Sequence, residues 1–394
     1  MEIALAFHNL TRPPGPYRMK TLFWDVICLA VLCVILTLGL WPFHSPENEV
    51  SWLGIHNGLR FGRFGTVVSS AAFPMTSAGS EASGSVEVWL QPSRIWDRCT
   101  FLAFYTPGNP YQFSLRQSDA GLDLHAEVPG EGPSSNTASL HVSNVFRRPR
   151  RVFLTVTSGR NGTSVYTNGV LLRMAPELRL VPDAFTGRLV LGDSPGQSDS
   201  WSGELLGLAI YRRELDATQV LRHYETWTQA GRPEIDEQDG HIALYLFNER
   251  SGRVVHDQAG SAVNLTIPEK YAVSEQIFLE PFWREFSVSR SYWGSALKNI
   301  VGFVPFGFSF YACLAGRKVR RAALATVILG ALVSLTIEIL QAYLPTRDSG
   351  TTDLFTNTLG TYLGVLAYTL VIPILAAWFP RLPSLLVGRP PEFH

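Results

Sequence analysis

The stretch NIVGFVPFGFSFYACLAGRKVRRAALATVILGALVSLTIEILQAYLPTRDSGTTDLFTNTLGTYLG, residues 299–364, decides how this chain is read. Two long apolar runs are joined by a basic knot, and a polar turn leads into a third run. Asn299, Glu338, Gln341, Asp353 and Asn357 sit in or beside these runs, where hydrocarbon excludes such groups. Ionisable residues inside a membrane helix are costly, so by default they mark a functional site or a specific helix contact.

Working outward, a further apolar run, TLFWDVICLAVLCVILTLGLWPF, covers Thr21–Phe43. It exceeds a signal-peptide core and Trp41-Pro42-Phe43-His44 offers no small-residue cleavage site, so it reads as an uncleaved anchor. With it, the runs Asn299–Gly316, Ala322–Leu344 and Leu354–Phe379 predict four membrane helices. Arg12, Arg18 and Lys20 precede the first; Arg317, Lys318, Arg320 and Arg321 separate the second and third; Arg381 and Arg389 follow the fourth. Alternation puts these clusters on one side, which the positive-inside rule makes the cytoplasm. Both termini are then expected inside a cell membrane (the inner membrane in a Gram-negative cell), with the long central body outside.

That body changes pattern. Short alternating segments such as SVEVWLQP (85–92), RVFLTVTSG (151–159) and RLVLGD (188–193) are separated by Gly, Pro, Asn and Asp, which argues an antiparallel all-β domain. Thr167-Asn168-Gly169 is a hairpin turn signal, and LDATQVLRHYETW (215–227) has helical spacing with Asp216 as its N-cap. The expected layout is a basic tail (1–20), helix one (21–43), an extracytoplasmic sandwich (50–267), a connector (268–298), helices two to four (299–379) and a second tail (380–394). Trp283, Phe286, Tyr292 and Trp293 in the connector suit a membrane interface or packing on the β-domain. The fold class is α+β: a four-helix transmembrane bundle plus an antiparallel β-sandwich.

Composition excludes several classes. The 394 residues carry 33 Lys plus Arg against 33 Asp plus Glu, so no global field points to nucleic acid. Cys28, Cys33 and Cys313 fall in apolar runs and only Cys99 in the polar body, so there is no disulfide framework. No P-loop, HExxH, GxSxG or zinc spacing is present, and no cofactor is expected. Asp193 and Asp199 with nearby carbonyls are the weak candidates for Ca²⁺, an ordinary polar turn being the plainer reading. Trp96, Tyr105 and Tyr111 could stack on sugar or be core residues.

The membrane residues are spaced for contact. Glu338 and Gln341 share one helix face, as do Asp353 and Asn357. Arg347 lies in the turn between them, where it could offset one carboxylate. A single cavity could collect these groups, with Glu338 or Asp353 as the catalytic candidates. Pro305 and Gly307 interrupt helix two as a packing kink, and Gly360 with Gly364 forms a small-residue packing pair. The plainer reading of the whole set is interhelical hydrogen bonding.

Two resemblances follow. SVEVWLQP, RRVFLTVT, SVYTNGVLL, RLVLGD and WSGELLGLAIYRREL resemble the laminin-G-like (concanavalin A-like) jelly-roll family over roughly 50–267. The segment HIALYLFNERSGRVVHDQAG (241–260) resembles the strand that usually opens such a domain, which implies circular permutation. The series Asn299, Phe303, Pro305, Phe306 and Gly307, then Glu338, Gln341, Arg347, Asp353, Asn357 and Gly360, resembles the VanZ-like membrane family. That family is linked to glycopeptide (teicoplanin) resistance, so the resemblance implies a bacterial envelope setting and no particular reaction. Two functions remain open. One is a binding or scaffold protein for an envelope glycan, a protein or a lipid-linked headgroup. The other is a membrane enzyme on an envelope lipid or glycan precursor, with Glu338 as acid or base and Arg347 binding phosphate or carboxylate. A transporter is a third idea, poorly served by four helices without a repeat.

Overall fold

The computed structural model describes residues 16–74, 83–128, 136–180, 182–196, 198–236, 239–286 and 290–378. Most of the basic N-terminal tail, including Arg12, and the whole C-terminal tail from 380 lie outside the described residues. The chain divides into two compact units, one of 1–44 with 277–394 and one of 45–276.

The 45–276 unit is a sandwich of two eight-stranded sheets. In chain order its strands are β1 (Val50–Trp52), β2 (Leu59–Phe61), β3 (Val67–Ser69), β4 (Gly84–Pro92), β5 (Arg98–Thr106), β6 (Asn109–Ser118), β7 (Gly121–Val128) and β8 (Asn136–Val142). They continue with β9 (Val152–Gly159), β10 (Gly162–Thr167), β11 (Val170–Ala175), β12 (Arg188–Leu191), β13 (Gly203–Tyr211), β14 (His241–Tyr245), β15 (Val254–Val255) and β16 (Leu265–Thr266). One sheet runs β1-β2-β13-β4-β9-β10-β11, with β14 also on β13; the other runs β15-β16-β3-β12-β5-β6-β7-β8. The strand pairings within both sheets are antiparallel, as with Val86↔Val156 between β4 and β9. The alternation in SVEVWLQP turns Val86, Val88 and Leu90 into the core between the sheets, against residues such as Phe101, Phe104 and Trp201. The late segment 241–266 is built into both sheets: β14 pairs with β13, and β16 joins β15 to β3.

Local signals act as their chemistry requires. Asn168 and Gly169 both take positive φ (52° and 77°) between β10 and β11, the backbone of a tight primed turn. Asp216 caps helix α2 (Ala217–Ala230) in a capping box with Gln219, and Gly231 closes it in the left-handed conformation.

The other unit holds α1 (Pro16–Leu40), a short α3 (Phe282–Glu285), α4 (Arg290–Gly316), α5 (Ala322–Gln341) and α6 (Thr351–Trp378). Of these, α1, α4, α5 and α6 are long and apolar enough to cross a membrane. The chain is a membrane protein. Two expectations change here. Helix α4 starts at Arg290, well before Asn299, because the amphipathic stretch RSYWGSALK is helical without being continuously apolar. Pro305 does not interrupt α4, which runs unbroken to Gly316; its missing N–H removes a single bond, to the carbonyl four residues earlier.

Candidate functional site

Helix α5 buries a polar and small stripe: Thr326, Gly330, Ser334, Glu338 and Gln341. The spacing of four, four, four and three keeps these side chains on one face, turned from lipid into the bundle. Opposite it, α6 presents Asn357 and Thr361, both buried. Asn357 Nδ2 donates to Ser334 Oγ (2.9 Å), and Thr361 lies against both Gly330 of α5 and Gly307 of α4. A side chain at Gly307, Gly360 or Gly364 would strike the backbone at Thr361, Ile300 or Val304 respectively, so α4 and α6 meet backbone to backbone. Asn299 is half-buried on α4 beside Ile300.

Toward the end of α5 the same stripe becomes a knot around the turn at 345–350. Glu338, 1% exposed, accepts the Gly350 N–H at Oε2 (2.9 Å). Gln341 Nε2 donates to the Gly39 carbonyl (2.9 Å) near the end of α1. Arg347 donates to the carbonyls of Leu38 (3.1 Å) and Trp41 (2.6 Å), where a helix terminus leaves acceptors without intrahelical donors. The turn is held from its other side by residues 279–280. Leu279 N–H donates to Ser349 Oγ (3.3 Å), Glu280 N–H to the Ser349 carbonyl (2.9 Å), and Thr351 N–H to the Glu280 carbonyl (3.0 Å). Asp353 is half-buried in the first turn of α6, where a carboxylate suits the helix dipole.

The predicted polar residues therefore fall into two groups. Glu338 fastens the turn to α5, and Gln341 and Arg347 fasten α5 and the turn to α1, whereas Asn357 pairs deeper in the bundle with Ser334. Asn357 Oδ1 has no hydrogen-bond partner although the residue is 5% exposed. A buried acceptor left without a donor costs on the order of 1–3 kcal/mol. Sequence reasoning missed Ser334, although it lies one turn before Glu338 on the same face. It also missed the backbone of Gly350 and Glu280, which no side-chain pattern reports. At the opposite end of the bundle, Asp25 of α1 pairs with Arg317 (2.5 Å).

In the sandwich, Asp193 and Asp199 do not make a cation site. Asp193 Oδ1 accepts the N–H groups of Ser194 and Asp199 (2.8 Å each), and Oδ2 accepts the Tyr271 hydroxyl (2.5 Å). Asp199 is held by Thr100 Oγ1 (2.7 Å) and Arg116 (3.0 Å). These carboxylates face donors, the wrong company for Ca²⁺, whose shell is made of oxygen acceptors. Among the described residues no group of three or more His, Cys, Asp or Glu side chains is placed to hold a metal. Burial pushes the Asp193 carboxyl up to about 7 against the lowering effect of its hydrogen bonds. Of the aromatic candidates, Tyr105 is buried, Trp96 is exposed, and the Tyr111 side chain lies outside the described residues.

A second buried polar set lies under α2. His223 is sandwiched between Glu87 Oε2 on Nδ1 (3.1 Å) and Asp239 Oδ2 on Nε2 (3.1 Å), all three side chains at or near zero exposure. Tyr211 donates to Glu87 (2.7 Å), and Arg222 to Asp239 (2.7 Å). Burial by itself lowers the His223 pKa, but the two flanking carboxylates outweigh it and the net shift is upward.

Comparison with known proteins finds two matched families. Residues 242–372 match the VanZ/LLP1 family. Residues 65–221 match the concanavalin A-like lectin/glucanases superfamily. The VanZ/LLP1 match begins within β14 and so includes the closing strands of the sandwich. Comparison with curated proteins gives no match. Among solved structures the chain is similar to a candidate carbohydrate binding protein from Bacteroides ovatus, at 14% identity over 54% of this chain and 58% of that one, TM-score 0.38. It is also similar to the binding domain of botulinum neurotoxin DC solved in complex with rat synaptotagmin II (12%, 58% and 58%, TM-score 0.36). A third is the binding domain of Paraclostridial Mosquitocidal Protein 1 (10%, 47% and 47%, TM-score 0.35). The chain spans less than two thirds of each of these structures.

Proposed function

We propose that this protein is a bacterial envelope receptor: the sandwich captures a glycan outside the membrane, and the bundle anchors it and engages the lipid-linked end of such a ligand. The observation that carries the reading is the position of the polar knot. Glu338, Gln341 and Arg347 gather at the end of the bundle where the chain leaves α1 for the sandwich and returns through 277–281. Lectin-type matching of 65–221 supports a sugar as the captured group. The enzyme reading is less well served, because Glu338 is enclosed and engaged with the Gly350 N–H.

The test is glycopeptide susceptibility of a deletion strain complemented with wild type, a deletion of the whole 45–276 unit, Asn357→Leu or Arg347→Ala, each at checked membrane abundance. A receptor should fail in the sandwich deletion and weaken in the bundle variants. Full complementation by the sandwich deletion would sink the proposal. Sidedness needs its own probe. Ser349 is only 3% exposed and burial pushes the Cys99 thiol up to about 12, so neither position reports on access. Ile55 is 91% exposed. Ile55→Cys in a Cys99→Ser background should react with an impermeant maleimide in intact cells, after outer-membrane permeabilisation where one exists; labelling only after lysis would reverse the orientation.

A further inference from the structure

Trp96 stands apart from the other rings of the sandwich. It is 77% exposed, whereas the other Phe, Trp and Tyr side chains described in 45–276 are buried or half-buried. Its loop, 93–97 between β4 and β5, is nonetheless tightly fixed. Ser93 N–H donates to the Ser202 carbonyl (3.0 Å). The buried Gln117 on β6 donates to the carbonyls of Arg94 (2.6 Å), Ile95 (3.1 Å) and Asp119 (3.3 Å). Gln117 Oε1 is itself held by the buried Trp201 indole N–H (2.9 Å). On the far side of Trp96, the Asp97 carbonyl accepts the Asp119 N–H (2.9 Å), and Asp119 pairs with Arg98 (2.8 Å). A buried side chain thus pins the backbone on one side of an indole left in solvent, and a second strand turn pins it on the other.

An apolar ring held rigid in water is a ready contact surface. Tryptophan loses little rotamer entropy on binding, and preorganisation of its loop removes a further cost. The surroundings select the partner. Arg94, Asp97 and Arg98 lie within two residues of Trp96 in the chain, and Arg98 carries the ion pair with Asp119, so charged donors and acceptors accompany a flat apolar ring. A gluco-configured pyranose has the matching shape, with C–H groups on its face and equatorial hydroxyls at its edge. Acyl chains do not match it, because these charges would have to leave water.

We propose that Trp96, on the loop that leads into the Arg98–Asp119 pair, forms a stacking subsite for a gluco-configured sugar, glucose or N-acetylglucosamine. This rests on the glycan-capturing reading of the sandwich and assigns the residue that performs it.

The test uses the full-length protein in nanodiscs, titrated with cellotetraose, tetra-N-acetylglucosamine and muramidase-released peptidoglycan fragments. Trp96→Ala should weaken binding about ten-fold or more, Trp96→Phe less, and Arg98→Ala by a few-fold, with unchanged unfolding temperatures. Because the ring is exposed, Trp96→Phe keeps the loop intact and reports even if the alanine variant misfolds. Binding by wild type that is undiminished in both Trp96 variants overturns the subsite while leaving glycan capture standing. Wild-type protein that binds none of the probes overturns both. A Trp96-dependent emission quenched by brominated lipids and insensitive to sugar would assign the ring to the bilayer instead, which also overturns the subsite.

Discussion

At the residue scale, one buried acid and one histidine, Asp193 and His223, make part of the sandwich's stability depend on pH in the same direction. An unfolded aspartate titrates near about 3.9, whereas burial lifts Asp193 to about 7. The folded state therefore holds this proton more tightly across the interval. Its contribution is complete below about pH 4 and fades as pH rises through 7, at about 1.4 kcal/mol per pH unit between. The upward shift of His223 has the same sign: stability present below about 6.5 is lost as pH climbs through the folded value. Urea unfolding of the full chain, followed by tryptophan emission, should show a more stable sandwich at pH 5 than at pH 8. Asp193→Asn keeps an acceptor for the Ser194 and Asp199 amides and should flatten part of that slope; an unchanged slope would remove Asp193 from the account. His223→Ala leaves Glu87 and Asp239 buried without the imidazole they share, although Asp239 keeps Arg222, and should cost about 3–5 kcal/mol. None of this was legible in the sequence. In SVEVWLQP the alternation correctly turns Glu87 away from the core, but it cannot tell a face covered by a helix from one facing water.

At the element scale, the return path 277–281 is a clasp as much as a connector. Its backbone bonds to Ser349 and Thr351, and the next amide along, that of Gly350, is taken by Glu338. Glu338→Gln retains an oxygen for that amide and should assemble normally, judged by thermal stability in detergent. Glu338→Leu orphans a buried N–H and should lose about 1–3 kcal/mol. Equal behaviour of the two variants would mean that the hydrogen bond is not what fastens the turn. Gly364→Leu places a side chain against the Val304 carbonyl and should disrupt the α4–α6 seam far more than Gly302→Leu, which meets open space. The membrane helices were legible because long apolar runs have few alternatives. Their polar stripe was legible through spacing, since Glu338, Gln341 and Asn357 are conspicuous against Leu, Ile and Val. Where each side chain finds its partner was not. Arg347 reaches carbonyls at the end of α1, hundreds of residues earlier in the chain, and nothing in local pattern specifies an acceptor that distant.

For the whole molecule, two matched regions and two compact units tell the same story of a β-sandwich carried within a helical membrane protein. The turn and closing motifs made the sandwich recognisable, and the late strands β14 and β16 show why its boundary extends past the matched 65–221: each sheet is completed by chain that follows α2. One consequence concerns manufacture. Helix α1 packs on α4 and α5, yet about 230 residues separate its end from the return of the chain. At a synthesis rate of about 5–20 residues per second, α1 waits on the order of ten seconds or more in the bilayer before its neighbours exist. During that wait its Cys28, Gly39 and the carbonyls later taken by Gln341 and Arg347 have no companions from the same chain. The first helix must therefore survive as a solitary span, or be sheltered by an insertion factor, while an entire domain folds from its far end.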